Sequence, residues 1–224
     1  MKKYLYNFYL ILININKYGI IEITKALFVE VYYLLKIRDF KSWIHDDKFT
    51  DSYQDTKNDK DYNAQHTPTP YYFLSFASNF LKQNNIDDFV ISDFGCGLGR
   101  IGKFFVSKFN CIFYGLEINT AMIDDLKNEN IDNFNLFTIN LKNQDERRKI
   151  FDQIKNHKKT IILFISDSFD IGTINEIIEY FSDTSHYIIG VNIKDSKSLL
   201  KGYKKIGLKE FKDKTRHIFL MSKI

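Results

Sequence analysis

The interpretation of this 224-residue chain starts from the stretch Val90–Gly102, VISDFGCGLGRIG. The stretch opens with a short apolar run that ends at Asp93, and glycines follow at positions 95, 97, 99 and 102. An amphipathic pattern resumes after Arg100, which predicts a glycine-rich loop between a strand and a helix. Glycines at this spacing let the backbone turn tightly and approach a ligand, with the helix N-terminus facing it. The loop therefore predicts a cofactor site.

Composition excludes several classes of protein. The chain is 44% hydrophobic and 16% aromatic, which is typical of a globular protein with one full core and an additional helical segment. A net charge of +4 without a dense basic block or a known motif gives no reason to expect a nucleic-acid surface. The two cysteines do not form a disulfide scaffold, so we expect a reducing compartment. No Cys/His spacing resembles a zinc site, and no metal is predicted.

The first 65 residues form a predicted N-terminal helical extension with a polar linker, distinct from a domain over residues 66–224. Residues 4–38 have helical periodicity, and its apolar positions, with charged residues between them, are typical of a helix that packs on the domain: Ile20, Ile23, Leu27, Val31 and Leu34. The alternative is a peripheral contact with a membrane or a partner, because aromatic residues between 4 and 10 lie beside Lys2 and Lys3. The polar run over residues 46–65 marks the boundary.

The same N-terminus superficially resembles a signal peptide. Asparagines interrupt its apolar run, no small-residue cleavage site follows, and the run is too short to span a bilayer. We therefore expect a cytoplasmic protein.

From residue 66 onward the chain alternates strand and helix patterns. Thr69 and Pro70 predict a helix start with a hydroxyl cap. Repeated β-α units predict a Rossmann-like, doubly wound α/β fold with a mostly parallel seven-stranded sheet. A helix is expected over residues 196–205, followed by a turn at Gly207 and a C-terminal antiparallel hairpin of residues 208–212 and 217–221. The other strand patterns cover residues 89–94, 112–116, 134–139, 161–165 and 187–191, with helices between them.

The topology predicts which side chains meet the cofactor. Ligands of such sheets bind at the carboxyl ends of the strands, so Glu117, at the end of the second strand, is expected to accept hydrogen bonds from ribose hydroxyls. Residues 97–102 also match the G-x-G-x-x-G pattern of NAD-binding folds, which leaves an NAD-dependent oxidoreductase as an alternative. Asp93 argues against a dinucleotide, because a carboxylate suits a cationic amine and is unfavourable beside a pyrophosphate.

Two motifs resemble those of class I S-adenosylmethionine-dependent methyltransferases. The residues DFGCGLGR, 93–100, look like the first motif of that family, and YGLE, 114–117, looks like the second. The segment 202–209 is similar to the stretch before the family's final hairpin, so the resemblance covers residues 66–224. It implies S-adenosylmethionine as the cofactor, with Asp93 on the methionine amine and Glu117 on the ribose. Gly95, Gly97 and Gly99 would then admit the cofactor.

The segment around Pro68 resembles a bacterial subgroup in which a Pro-Thr-x-Tyr element precedes the cofactor domain, which implies that Thr69 and Tyr71 form part of the roof of the site. In that subgroup the fourth strand ends in Asn-Pro-Phe, whereas here the matching residues are Asp167-Ser168-Phe169. The acid that often faces adenine is replaced by Asn140 or Leu141, and the Asn140 amide can still pair with the base.

The implied activity is methyl transfer to an unidentified acceptor: a small molecule, a glycan or a protein side chain. Asp167 is placed to orient a hydroxyl or amine acceptor or to take its proton, and the competing interpretation is that Asp167 or Asp170 caps the next helix. The tetrapeptide 166–169 is also a degenerate form of the amino-methyltransferase motif, which makes DNA base methylation a weak alternative. The departure from Asn-Pro-Phe also permits a non-catalytic cofactor-binding module with the same fold.

Overall fold

A computed structural model describes residues 19–39, 69–166, 169–193, 202–210 and 217–223. Its helices are α1 (Ile20–Ile37), α2 (Tyr71–Gln83), α3 (Arg100–Val106), α4 (Thr120–Asn128), α5 (Gln144–Lys155) and α6 (Ile171–Tyr180). Its strands are β1 (Asp88–Phe94), β2 (Asn110–Glu117), β3 (Phe134–Thr138), β4 (Thr160–Ser166), β5 (His186–Val191), β6 (Tyr203–Glu210) and β7 (His217–Lys223). None of the helices in these ranges combines the length and the apolar character needed to cross a membrane.

The seven strands form one sheet in the order β3-β2-β1-β4-β5-β7-β6. The pairs among β1 to β5 are parallel, and β7 lies antiparallel between β5 and β6. The strand order reverses between β1 and β4, so the glycine loop after β1 lies at the switch point where such sheets bind ligands. The predicted Rossmann-like fold with a mostly parallel seven-stranded sheet, a C-terminal antiparallel hairpin and an N-terminal helix is confirmed.

Alternation along the central strands divides the core into two apolar layers. In β1, Phe89 and Ile91 face the layer formed with α2, α3 and α4, whereas Val90 and Phe94 face the layer formed with α5 and α6. A strand buried on both faces has no polar side, which explains the continuous apolar run that precedes the glycine loop. The glycine loop therefore follows directly from a strand of the sheet that is buried on both faces.

The C-terminal region corrects two expectations. Residues 203–205 belong to β6, so the expected helix over residues 196–205 is wrong for its described part, and residues 194–201 lie outside the described residues. Gly207 lies within β6 at a bulge after Lys205, packed against Phe80, and does not form a turn before the hairpin. The segment similar to the family's pre-hairpin stretch is therefore a strand of the hairpin. Lysines are common on exposed edge strands. In this segment they alternate with apolar residues in a pattern that also fits the polar side of a helix.

The described part of the N-terminal extension is helical as predicted, but its buried face is different. Leu34 is buried, whereas Ile20, Leu27 and Val31 are exposed. Glu30, predicted to lie between the apolar positions, is buried instead. The helix packs its Glu30 and Leu34 side on α2 and α3 and presents apolar residues outward, because buried ionic contacts of Glu30 determine its rotation.

Candidate functional site

The glycine loop between β1 and α3 is held against β2 by backbone hydrogen bonds. The N–H groups of Gly95 and Cys96 donate to the Leu116 carbonyl at 2.8 and 3.0 Å. Gly95, Gly97 and Gly99 all have positive φ, at 81°, 52° and 69°, a region that side chains disfavour. At Gly99 an added Cβ would also lie 2.9 Å from the Leu126 side chain. The backbone conformation therefore favours glycine at all three predicted positions. Their contact with a cofactor stays a prediction.

Glu117 ends β2 and turns its carboxylate toward the glycine loop. One carboxylate oxygen, Oε2, accepts the Gly97 N–H at 2.9 Å, and the other, Oε1, accepts those of Ile118 and Asn119 at 2.9 and 3.0 Å. Burial raises the pKa of Glu117, and these backbone donors lower it in part. Each carboxylate oxygen has two acceptor sites, so Oε2 keeps one for a ribose hydroxyl. The side chain thus fits the predicted role and also holds the loop in shape.

Asp93 is buried at the carboxyl end of β1, with only 3% of its surface exposed. Its Oδ2 oxygen finds no hydrogen-bond partner within the described ranges. Burial raises the pKa of Asp93 well above its ordinary value, and the negative charge of Glu117 raises it further. An unpaired buried carboxyl is costly, which marks Asp93 as a candidate binding group. The site is therefore short of positive charge.

The end of β4 meets the glycine loop through an aromatic ring. A Cβ added to Gly95 would lie 3.3 Å from the Phe169 ring, so this ring lies directly on the loop. Asp167, the predicted catalytic residue, lies outside the described residues. Asp170 caps α6, since its carboxylate accepts the Thr173 N–H at 2.9 Å and the Thr173 hydroxyl at 2.7 Å. The helix cap is thus provided by Asp170, and a catalytic role for Asp167 stays a prediction.

Asn140 follows β3 at the same edge of the sheet. The preceding residue, Ile139, donates its N–H to the Glu117 carbonyl at 2.8 Å, which places Asn140 next to the end of β2. The Asn140 side-chain oxygen accepts the Lys142 N–H at 3.0 Å, which fixes the orientation of its amide. The structure thus brings Asn140, Glu117 and the glycine loop to neighbouring strand ends, and adenine recognition by Asn140 stays a prediction.

A buried cluster of charges joins α1 to α3 directly beside the loop. The Arg100 guanidinium, at the first position of α3, forms an ion pair with Glu30 of α1. Its Nε lies 3.5 Å from Asp39, which also accepts a hydrogen bond from Lys103 at 3.0 Å. Lys103 pairs in turn with Glu129 at 2.9 Å. These five residues, Glu30, Asp39, Arg100, Lys103 and Glu129, are called the ionic cluster below.

The segment before α2 is tied to the same cluster. Glu30 accepts the Tyr71 N–H at 2.7 Å, and Thr69 supplies no cap hydrogen bond, so the predicted hydroxyl cap is wrong. The Tyr71 ring is completely buried under the Arg100 guanidinium at 4.5 Å, and its hydroxyl donates to Asp39 at 2.8 Å. Burial raises the pKa of Tyr71. Thr69 lies half-buried just outside. Cofactor contacts of Thr69 and Tyr71 stay predictions.

The ionic cluster is the part of the site that the sequence interpretation missed. The sequence pattern puts Glu30 among the polar positions of an amphipathic helix, and it gives Arg100 no role beyond the last position of the first motif. One signal was present: Arg100 and Lys103 occur in a short helix whose other residues are apolar, so both charges had to be buried with partners. The partners Glu30 and Asp39 lie more than 60 residues away, and no local pattern identifies them.

In the ranges that the structure covers, no group of three His, Cys, Asp or Glu side chains could hold a metal ion. Cys96 and Cys111 are both buried free thiols whose pKa burial raises. They show no feature of reactive cysteines.

Comparison with known proteins supports the fold through structure alone. No protein-family model matches the sequence, and a search among curated proteins finds no match. The crystal structure of MtNAS in complex with MTA and tNA is 12% identical, with a TM-score of 0.51, over 89% of this chain and 75% of MtNAS. A mutant of MtNAS in complex with S-adenosylmethionine is also 12% identical, with a TM-score of 0.51, over 88% and 77%.

A named S-adenosylmethionine-dependent methyltransferase from Leishmania major is 13% identical, with a TM-score of 0.49, over 66% of this chain and 70% of its own. At such identities the similarity concerns the fold. The similarity to MtNAS thus supports the Rossmann-like fold of the chain.

Proposed function

We propose that this protein binds S-adenosylmethionine and transfers its methyl group to an acceptor that is still to be identified. The cofactor supplies an electrophilic methyl group on a sulfonium. The observation that carries the proposal is the buried Asp93 carboxyl, whose Oδ2 lacks a partner among the described residues and which lies beside a second carboxyl, Glu117.

Charge separates this proposal from the NAD alternative. S-adenosylmethionine brings a cationic amine and a sulfonium, and both are attracted by the Asp93 and Glu117 carboxylates. A pyrophosphate brings two negative charges and would be repelled by Asp93. The glycine pattern and the acid at the end of the second strand are common to both classes of protein, so Asp93 is the residue that favours the methyl donor.

The residues around the loop have distinct proposed roles. Asp93 binds the methionine amine, Glu117 accepts a ribose hydroxyl on its remaining Oε2 site, and Asn140 pairs with adenine. Gly95, Gly97 and Gly99 keep the path open for the cofactor, and Phe169 shields it from water at the end of β4. The Pro-Thr-x-Tyr subgroup, including contacts by Thr69 and Tyr71, is the finer part of this proposal and rests on sequence resemblance.

Methyl transfer needs mainly in-line positioning of a nucleophile in a site closed to water. Asp167 follows β4 directly, and we propose that its carboxylate orients a hydroxyl or amine acceptor and takes its proton. A non-catalytic module would bind the cofactor without this step.

Calorimetric titration with S-adenosylhomocysteine and with NADH tests the cofactor. We expect micromolar binding of S-adenosylhomocysteine, weakened about tenfold or more by Asp93→Asn, because a hydrogen bond to a charged amine contributes about 1.5–3 kcal/mol. Asp88→Asn at the exposed start of the same strand serves as the matched control and should bind normally. Binding of NADH without binding of S-adenosylhomocysteine would refute the proposal.

Transfer of a labelled methyl group into a cell extract tests the activity. We expect a labelled product with the wild-type chain and a large loss with Asp167→Ala at unchanged cofactor affinity. Tight cofactor binding without any labelled product would instead favour the non-catalytic module.

A further inference from the structure

The outward face of α1 is apolar along its whole length. It carries seven large apolar side chains that are 43–73% exposed: Ile20, Ile21, Leu27, Phe28, Val31, Tyr32 and Leu35. At about 100° per residue these positions occupy one continuous side of the helix, roughly 140° wide. Isolated exposed apolar residues need no explanation, but a contiguous patch of this size marks a contact surface.

The patch continues into a shallow groove between α1 and α2. The groove has a volume of about 480 Å³, and it is lined by Phe28, Tyr32 and Tyr33 from α1, by Ser75 and Asn79 from α2, and by Lys108. The only carboxylates of α1 are turned elsewhere, since Glu22 accepts the Tyr72 hydroxyl and Glu30 is buried in the ionic cluster. The apolar face of this helix therefore contains no acid.

Lysines border the same side of the patch. Lys25 and Lys36 lie at its edge, and Lys36 lies over the Tyr32 ring, with its Nζ 5.7 Å from the ring centroid. Lys108 lies 5.0 Å from the Tyr33 ring and Lys82 lies 5.8 Å from the Phe109 ring. Burial lowers the pKa of Lys108, and the positive charges of Lys82 and Lys36 lower it further, which shows that these three lysines share one region.

We propose that the outward face of α1, together with the lysines at its edge, docks the protein on an anionic lipid surface. An apolar helix face with basic residues beside it lies in the plane of a membrane interface, with its apolar side chains among the acyl chains and its lysines at the headgroups. The inference does not rest on the proposed function.

Charge complementarity favours this occupant over a second copy, over residues 1–19 and over a nucleic acid. A second copy of the chain would carry the same lysines to the contact. Residues 1–19 contain three lysines and no acid, so they do not complement the lysines either. A nucleic acid would satisfy the positive charge but would leave seven apolar side chains in water. An anionic bilayer satisfies both parts of the surface.

Cosedimentation of the full-length chain with lipid vesicles tests the proposal. We expect binding to vesicles of phosphatidylcholine and phosphatidylglycerol in equal parts, and much weaker binding to phosphatidylcholine alone. The double variant Phe28→Ser, Leu35→Ser should weaken binding to the anionic vesicles about tenfold or more, because each buried apolar side chain contributes about 1.5–3 kcal/mol. Leu208→Ser, at an exposed apolar residue on β6, is the control and should bind normally.

The charge contribution has its own variants. Lys36→Glu with Lys82→Glu should weaken binding to anionic vesicles about tenfold or more without changing binding to phosphatidylcholine, since each basic residue near such a surface contributes about 1 kcal/mol. Lys127→Glu, on the exposed side of α4, should have little effect. Phe28, Leu35, Lys36 and Lys82 are all exposed, so circular dichroism should show that both double variants are folded.

Three results would overturn the proposal. The first is equal binding of wild-type protein to anionic and neutral vesicles. The second is unchanged vesicle binding by both double variants. The third is a dimer in sedimentation velocity that Phe28→Ser, Leu35→Ser dissociates, without any binding to vesicles, which would assign the face to a second copy.

Discussion

At the scale of single residues, the Asp93 carboxyl destabilises the unliganded protein when it is ionised, and it is the group proposed to bind the cofactor amine. Its carboxyl is carried into the core by the buried strand β1 and stays there without a counter-charge, next to Glu117. A neutral carboxyl is tolerated in such a place, whereas an ionised one is destabilising. A group of this kind stabilises the folded chain only in its protonated form, or when a cation is bound.

The unliganded protein should therefore lose stability as the pH rises. The folded pKa of Asp93 lies above the unfolded value of about 4, so its contribution is complete below that pH and is lost as the pH rises through the folded pKa. We expect Asp93→Asn to reduce this decline and to raise the free energy of unfolding at neutral pH, measured by urea denaturation over a pH series. Asp88→Asn should leave the slope unchanged. Parallel curves for wild type and Asp93→Asn would contradict the assignment.

At the scale of elements, Glu30 connects three helices. Its carboxylate pairs with Arg100 at the start of α3 and accepts the backbone N–H of Tyr71 at the start of α2. The α1 helix is therefore positioned by polar contacts, even though it is rich in apolar residues. This explains why its apolar periodicity did not predict which face is buried.

Removal of Glu30 should be costly. Glu30→Ala leaves a buried guanidinium with a more distant partner and an uncapped helix, and we expect a loss of about 3 kcal/mol in the free energy of unfolding. Asp183→Ala removes the exposed partner of Lys155 and should have little effect. Chemical denaturation of both variants makes the comparison. Equal losses would show that the ionic cluster does not anchor α1.

The pairing of β5 with β7 depends on Gly190. A Cβ at this position would lie 2.1 Å from the ring of Phe219, which is completely buried and cannot move aside. We expect Gly190→Ala to lower the free energy of unfolding by about 2–3 kcal/mol, because overpacking of a core forces backbone shifts.

Two further variants test this cause. Phe219→Leu in the Gly190→Ala background should recover part of the loss, since it removes the clashing ring. Gly172→Ala, in the exposed first turn of α6, should cost much less, since its Cβ would meet only the Asp170 carboxylate, at 3.0 Å. Thermal denaturation of the set is sufficient, and a neutral Gly190→Ala would show that the two strands pair more loosely.

At the scale of the whole molecule, a hydrogen bond of His186 joins the terminal hairpin to the parallel part of the sheet. Its Nδ1 lies 3.0 Å from the Thr184 carbonyl and therefore carries the hydrogen, so its Nε2 accepts the Tyr203 hydroxyl at 2.6 Å. Burial lowers the pKa of His186 below its ordinary value and raises that of Tyr203 to about 12. The Tyr203 hydroxyl can donate to Nε2 only while the imidazole is neutral.

Acid should therefore weaken the molecule through this contact. With a folded pKa below the unfolded value of about 6.5, His186 stabilises the protein above that pH, and the contribution is lost as the pH falls through the folded pKa. We expect His186→Gln to flatten this acid limb in urea denaturation. Tyr203→Phe should cost about 1 kcal/mol at neutral pH and keep most of the limb. An acid limb unchanged in His186→Gln would contradict this account.

The sequence by itself determined the order of the elements, the parallel sheet and the position of the glycine loop. These features follow from local patterns: the apolar run of a doubly buried strand and the closely spaced glycines after it. Asp93 and Glu117 were also accessible, because the ends of parallel strands meet at one edge of a sheet.

Only the tertiary structure decided the rotation of α1, the strand identity of residues 203–205 and the partners of Arg100. Each of these depends on contacts between distant parts of the chain. A helix that is apolar on both sides can bury either one, and a lysine-rich edge strand has the local composition of a helix. In α1 the face that carries Glu30 is buried, where Glu30 pairs with Arg100, and the other apolar face is exposed to solvent.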